Sequence, residues 1–153
     1  PLISGGWISI IYPEERTDSH LVSWLLQNLG ALRGDNTVHI FRAEGMTVVH
    51  LGDLGCVLTA AQEKKISGCD ALMLPVGGTY TIDAAAAAEL VRRLHPRLVL
   101  PMHFRRGEQG FPELTTLEDF LSRLPEQPVH RLTGETLDLT SKGTSGVVIF
   151  PRR

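Results

Sequence analysis

The sequence predicts a mixed α/β layered domain, and three observations carry that prediction. Short apolar runs rich in Val, Ile and Leu recur along the chain and read as strands. An alanine-rich segment of helical periodicity lies between two of them, as in a strand–helix–strand unit. Two of the runs empty into polar, glycine-bearing loops, where open α/β sheets gather their ligands. With 153 residues the chain is expected to form one domain over 1–153.

The elements follow in order. Trp7 to Tyr12 is apolar and β-branched, a strand that Pro13 stops. His20 to Leu29 carries Leu21, Val22, Leu25, Leu26 and Leu29 at helical spacing, and Gly30 with the Arg33–Asn36 turn ends it. Thr37 to Arg42 and Met46 to His50 read as the two strands of a hairpin around Glu44-Gly45. Thr59 is a candidate N-cap for a short helix to Ile66. Asp70 to Leu74 is a buried strand ending in Pro75-Val76-Gly77-Gly78. Thr81 then caps a helix from Ile82 to Leu94, whose five consecutive alanines have the best helix propensity. His95-Pro96 breaks it. Arg97 to Leu100 is another apolar strand, running into Pro101-Met102-His103. Thr116 to Leu124 is a helix, and Val129–Leu132, Thr136–Leu139 and Val147–Phe150 are short closing strands.

Composition excludes several classes. Fifteen Lys and Arg against 17 Asp and Glu give a net charge of −2, with no basic stripe, which argues against nucleic-acid binding. A hydrophobic content of 42% excludes a disordered chain. No apolar run reaches the roughly 18 residues of a membrane span. Cys56 and Cys69 make no disulfide framework, so a reducing, cytoplasmic setting is expected. The sequence opens at Pro1 without an initiator Met or a signal peptide, and reads as a processed or truncated product.

Of the six histidines, His39, His95 and His130 read as surface or cap residues. His50-Leu51-Gly52-Asp53 differs: a strand ends in a loop where glycine permits close backbone approach. Asp53 is a hard oxygen donor suited to a cation, or else a turn cap. His103, after Pro101-Met102, offers an imidazole at the end of a second strand, as a metal ligand or a hydrogen-bonded loop residue. Gly77-Gly78 before a helix could leave N–H groups for an anion. The Walker pattern, G-x-G-x-x-G, G-x-S-x-G and CxxC are absent.

Four segments in sequence carry a resemblance: Arg33-Gly34-Asp35-Asn36-Thr37, Val49 to Gly55, Asp70 to Ala84, and Pro101-Met102-His103-Phe104. From about residue 30 onward the chain resembles the metallo-β-lactamase superfamily, in the branch of small metal-dependent hydrolases that includes ascorbate-6-phosphate lactonase. That resemblance implies an αββα sandwich, mainly its C-terminal half here, and a site for two divalent ions, zinc or manganese. It implies Asp53 as the carboxylate bridging the ions, His103 as a further ligand and His20 as the upstream one. Arg33, Asn36, Gly77, Gly78 and Tyr80 would line or brace the site. The superfamily's His-x-His-x-Asp-His motif is absent from the chain. Catalytic zinc usually takes three protein ligands per ion, so this chain holds about half of a site. The strand faces are also apolar enough to want a partner layer. A missing N-terminal half, a partner chain or a homodimer is therefore expected to supply the rest.

The function expected is a hydrolase of a small lactone, ester or phosphodiester that uses a metal-bound hydroxide, with Asp53 orienting it and His50 contacting substrate or bracing Asp53. Two alternatives stand beside it. One is a catalytically inactive binding module on the same fold. The other is an unrelated α/β domain that binds an anion at Gly77-Gly78, which requires Asp53 and His103 to lie more than about 10 Å apart, beyond the reach of any one metal site.

Overall fold

A computed structural model describes residues 36–108, 110–141 and 143–151, together with the backbone of residues 3–4. The expected strand at Trp7–Tyr12, the helix at His20–Leu29, and the candidate residues His20 and Arg33 lie outside the described residues.

A six-stranded sheet organises the chain. Its strands are β2 (His39–Ala43), β3 (Met46–His50), β4 (Ala71–Pro75), β5 (Leu98–Met102), β8 (Gly146–Ile149) and β6 (Val129–Arg131), in that spatial order. The β2–β3 pair is an antiparallel hairpin, and every other pairing is parallel. A separate antiparallel pair joins β1 (Ile3–Ser4) to β7 (Thr136–Leu137). Parallel strands need crossovers. Those between β3, β4 and β5 carry α1 (Ala60–Ile66) and α2 (Ala84–Leu94), and α3 (Leu117–Ser122) follows β5.

The local chemistry explains the element ends. Thr59 caps α1 in a reciprocal box with Gln62, as its position predicted. Helix α2 begins later than expected. Its N-cap is Asp83, whose carboxylate accepts from Ala86 N–H, and not Thr81. Residues 81–82 are taken by the preceding loop: Ile82 N–H donates to Leu54 O and its carbonyl accepts from Gly78 N–H. His95 ends α2 in the left-handed conformation at φ 49°, a common helix stop. Strand β5 runs two residues further than expected, through Pro101 to Met102. Its pairing with β8 is confined to Leu98 and Val99, so no ladder donor is needed from Pro101 on that side. Helix α3 is shorter than the expected Thr116–Leu124, because Leu124 N–H turns back to Leu121 O in a tighter turn.

The sheet is apolar on both faces. One face packs Val49, Leu72, Leu74 and Val99 against Ile66 of α1, Leu90 and Leu94 of α2, and Phe120 of α3. Alanines 84, 87 and 88 are buried there, which lets α2 lie close to the sheet. The other face presents Met46, Val48, Ala71, Met73, Leu98, Leu100 and Val148, with Leu137 and Leu139 packed over it. These residues are all buried. What remains half-buried on that side is Phe41, Met102, Leu132 and Phe150. No helix among the described residues is long and apolar enough to cross a membrane.

Candidate metal centre

The parallel strands end along one edge of the sheet, and the polar loops leave from it. Strand β3 delivers His50, Leu51, Gly52 and Asp53; β4 delivers Val76 to Tyr80; β5 delivers His103. Two of these loops meet. His103 Nε2 lies 3.0 Å from Asp53 Oδ1, with both side chains open to solvent. The unrelated-domain alternative required these groups to be far apart, and it is set aside on that distance.

Each partner is held by backbone geometry. Leu51 is buried and bonds through its N–H to Met73 O, anchoring the loop to β4. Gly52 then turns at φ +58°, and a side chain there would run into Asn36 Oδ1 and the Thr37 carbonyl oxygen. Asn36 clamps this turn from both sides. Its Nδ2 donates to Leu51 O at 2.9 Å and its Oδ1 accepts from Asp53 N–H at 2.7 Å. The carboxylate of Asp53 is left free of the turn, so it is not a turn cap.

His103 takes φ +53°, a conformation that costs a non-glycine residue about 1–2 kcal/mol. The surroundings enforce it. Val76 N–H bonds Met102 O, and Arg105 N–H bonds Thr115 O on the other side. Gly77 lies so close that an added Cβ would collide with the His103 carbonyl oxygen. Strain held at a polar strand end is the pattern of a functional position.

His50 faces the same loop. Its Nδ1 accepts from Gly52 N–H at 2.9 Å, which places the ring proton on Nε2 in the neutral form. Burial, then the neighbouring His39 and His103, push its pKa below the ordinary histidine value. His50 is thus held neutral and braces the turn that carries Asp53.

Gly78 and Tyr80 occupy a self-satisfied loop. Gly78 N–H donates to Ile82 O, and Gly78 O accepts from the N–H groups of Tyr80 and Thr81. The expected anion cradle is therefore not formed by these N–H groups. Tyr80 is 63% exposed at the rim.

His39, read from the sequence as a surface histidine, is exposed. Its ring meets His50 edge-on, with centroids 6.3 Å apart, and stacks on Phe41 at 6.0 Å. Counting outward from the two-residue Glu44-Gly45 turn pairs residue 39 with residue 50, the observed register.

Do these residues fit a metal? A carboxylate oxygen and an imidazole nitrogen are the donors zinc and similar ions take, at about 2.0–2.2 Å each, so two of them on one ion sit roughly 3 Å apart. The Asp53–His103 separation matches. Among the described residues no group of three His, Cys, Asp or Glu completes a cluster. The pair fits as part of a ligand set.

Comparison with known proteins agrees in direction. A β-lactamase superfamily domain model matches residues 20–103, over half of the chain. A UPF0173 metal-dependent hydrolase of Staphylothermus marinus is 31% identical over 72 residues, which is 47% of this chain and 32% of that protein. One from Opitutus terrae is 37% identical over 67 residues, 42% of this chain and 28% of that protein. The matched stretch thus spans about a third of these curated relatives. The crystal structure of a candidate zinc-dependent hydrolase of the metallo-β-lactamase superfamily from Thermotoga maritima superposes with a TM-score of 0.67 and 40% identity. That match covers 76% of this chain and 59% of the other. A metallo hydrolase from Ignicoccus hospitalis superposes at 0.52 with 25% identity, over 82% of this chain and 47% of its own.

Proposed function

This chain belongs to the metallo-β-lactamase superfamily, and from that premise we propose that it supplies one half of the active site of a metal-dependent hydrolase. The observation that carries the reading is the Asp53–His103 pair, 3.0 Å apart at the carboxyl edge of the sheet. Curated relatives named metal-dependent hydrolases support the same class. The substrate is a lactone, an ester or a phosphodiester.

Asp53, His103 and His20, the upstream ligand implied by the resemblance, would hold metal, with the remaining ligands from outside this chain, since the sequence contains no His-x-His-x-Asp-His motif. A preceding half of the sandwich, a partner chain or a second copy is the source. When bound, the metal polarises the scissile oxygen and acidifies water. The chain's own residues do the positioning. Asn36 and Gly52 fix the turn so that Asp53 projects its carboxylate outward, where it orients an attacking water and accepts its proton. His50, neutral and bonded to Gly52, keeps that turn in register. Gly77 and the flanking backbone bonds hold His103 against Asp53.

The test is elemental analysis of the full protein beside turnover on a lactone, ester and phosphodiester panel. Stoichiometric zinc or manganese is expected, with hydrolysis of one substrate class. Asp53→Ala is expected to lose both. Undiminished metal content and turnover in that variant would refute the reading.

A second reading, an inactive binding module on the same fold, draws on the lack of a three-donor cluster among the described residues. A folded, metal-free and inert wild type would favour it.

A further inference from the structure

A cavity of about 600 Å³ opens on the same sheet edge as the candidate centre, in the size range of small-molecule sites. Its apolar lining is Leu117 at the start of α3 and Leu132, Ile149, Phe150 and Pro151, where β6 and β8 end. Its charged lining is Arg106, Arg131, Glu108 and Glu118. Strands β5, β8 and β6 are adjacent and parallel, so the cavity and His103 share one sheet edge. From β5 to β6 is two strand spacings, roughly 10 Å. The loop that begins at His103 reaches the cavity three residues later, at Arg106.

The two arginines are presented differently. Arg106 is half-buried, its guanidinium lies 5.1 Å over the Phe104 ring and it donates to Phe150 O at 3.2 Å. It is therefore fixed in place before any ligand arrives. Arg131 is exposed on the edge strand and makes no ion pair with a described residue, although Glu108 and Glu118 line the same space. A planar guanidinium with free donors suits a carboxylate bidentately. The two glutamates balance the arginines, so the cavity has no surplus of charge for a polyanion. A single carboxylate on an apolar body can take the free donors of Arg131, while the body covers the apolar lining.

We propose that this cavity binds the carboxylate-bearing, apolar end of the hydrolysed substrate through Arg131 and Arg106, about 10 Å along the sheet edge from the Asp53–His103 pair. The proposal deepens the hydrolase reading and rests on it for the word substrate. The binding itself does not depend on metal.

The experiment titrates the full chain with 2-naphthoate and with the neutral 2-naphthamide by calorimetry, using wild type, Arg131→Gln, Arg131→Lys and Asp53→Ala. Saturable naphthoate binding is expected, at least about tenfold tighter than the amide. Arg131→Gln is expected to weaken naphthoate about tenfold or more, Arg131→Lys to restore part of it, and Asp53→Ala to leave it unchanged. No binding, equal binding of the amide, or indifference to Arg131→Gln would overturn the proposal. So would loss of naphthoate binding in Asp53→Ala, which would place the carboxylate at the candidate metal centre. If naphthoate behaves as expected but Asp53→Ala leaves metal content and turnover intact, the hydrolase reading fails alone.

Discussion

Two acid–base pairs sit at opposite edges of the same parallel strands, and they are built in opposite ways. At the amino edge, Arg97 Nε lies 3.3 Å from Asp70 Oδ1, with side chains 17% and 26% exposed. Three of its four other donors are used as well: the Arg97 guanidinium also reaches the carbonyls of Leu139, Ser141 and Thr144. Asp70 Oδ2 accepts from Thr47 N–H. At the carboxyl edge, Asp53 and His103 are 46–74% exposed and meet through one contact. Their backbones are tightly held while their side chains keep spare lone pairs. A nearly saturated pair fastens the fold; an unsaturated pair on a rigid frame is available to a ligand.

The largest effect expected from breaking this contrast is at Gly77. An alanine there must displace the His103 carbonyl, which is backbone and cannot swing away. Overpacking of this kind costs about 3 kcal/mol. Gly77→Ala is expected to lower the urea midpoint accordingly and, by moving the imbedded backbone of His103, to reduce metal content. A variant as stable and as metal-loaded as wild type would show that the frame does not hold His103.

Next comes the amino-edge pair against the carboxyl-edge pair. Arg97→Ala leaves three carbonyls and a half-buried carboxylate short of a partner, so about 2–3 kcal/mol of stability should go, or a Tm fall of roughly 5–10 °C. With metal stripped from both proteins by a chelator, Asp53→Ala removes one exposed contact and should change stability by less than about 0.5 kcal/mol, while in untreated protein it abolishes metal uptake. Equal destabilisation by the two, read from parallel urea titrations, would erase the distinction between them.

The sequence made the frame legible where a short-range rule governs it. Strand cores from Ala71 to Leu74 and Val147 to Ile149 read out of apolar content alone, and the Thr59 cap out of its side chain. The start of α2 did not, because two good caps, Thr81 and Asp83, lie two residues apart. Hydrogen bonds from Ile82 to Leu54 and Gly78 decide between them, and those partners are distant in sequence. For the candidate site, strand ends pointed to Asp53 and His103, and the family resemblance joined them in one metal site. Only the parallel β3–β4–β5 order brings them together, and no local pattern encodes strand order. The Arg106–Arg131 cavity was invisible for the same reason: its walls come from four segments, each ordinary by itself.

The smallest effect concerns the two thiols, which repeat the contrast between the edges. Cys69, at the amino edge, is buried, and its carbonyl accepts from Arg97 N–H. Burial pushes its thiol from an ordinary 9.0 up to about 12. Cys56, in the loop after Asp53, is half-exposed, and burial raises its pKa as well. For an acid whose folded pKa is raised, the unfolded chain loses its proton first as pH increases. Stability from the neutral Cys69 thiol is therefore complete below pH 9 and falls between pH 9 and 12. At pH 10 the loss is about 1.4 kcal/mol. Cys69→Ala should flatten that alkaline limb relative to wild type, measured as urea midpoints from pH 8 to 10. In the native protein a thiol reagent should modify Cys56 well before Cys69, which waits for unfolding. Equal labelling rates would mean that the amino edge opens as readily as the loop bearing Asp53, and that the rigidity assigned to it is absent.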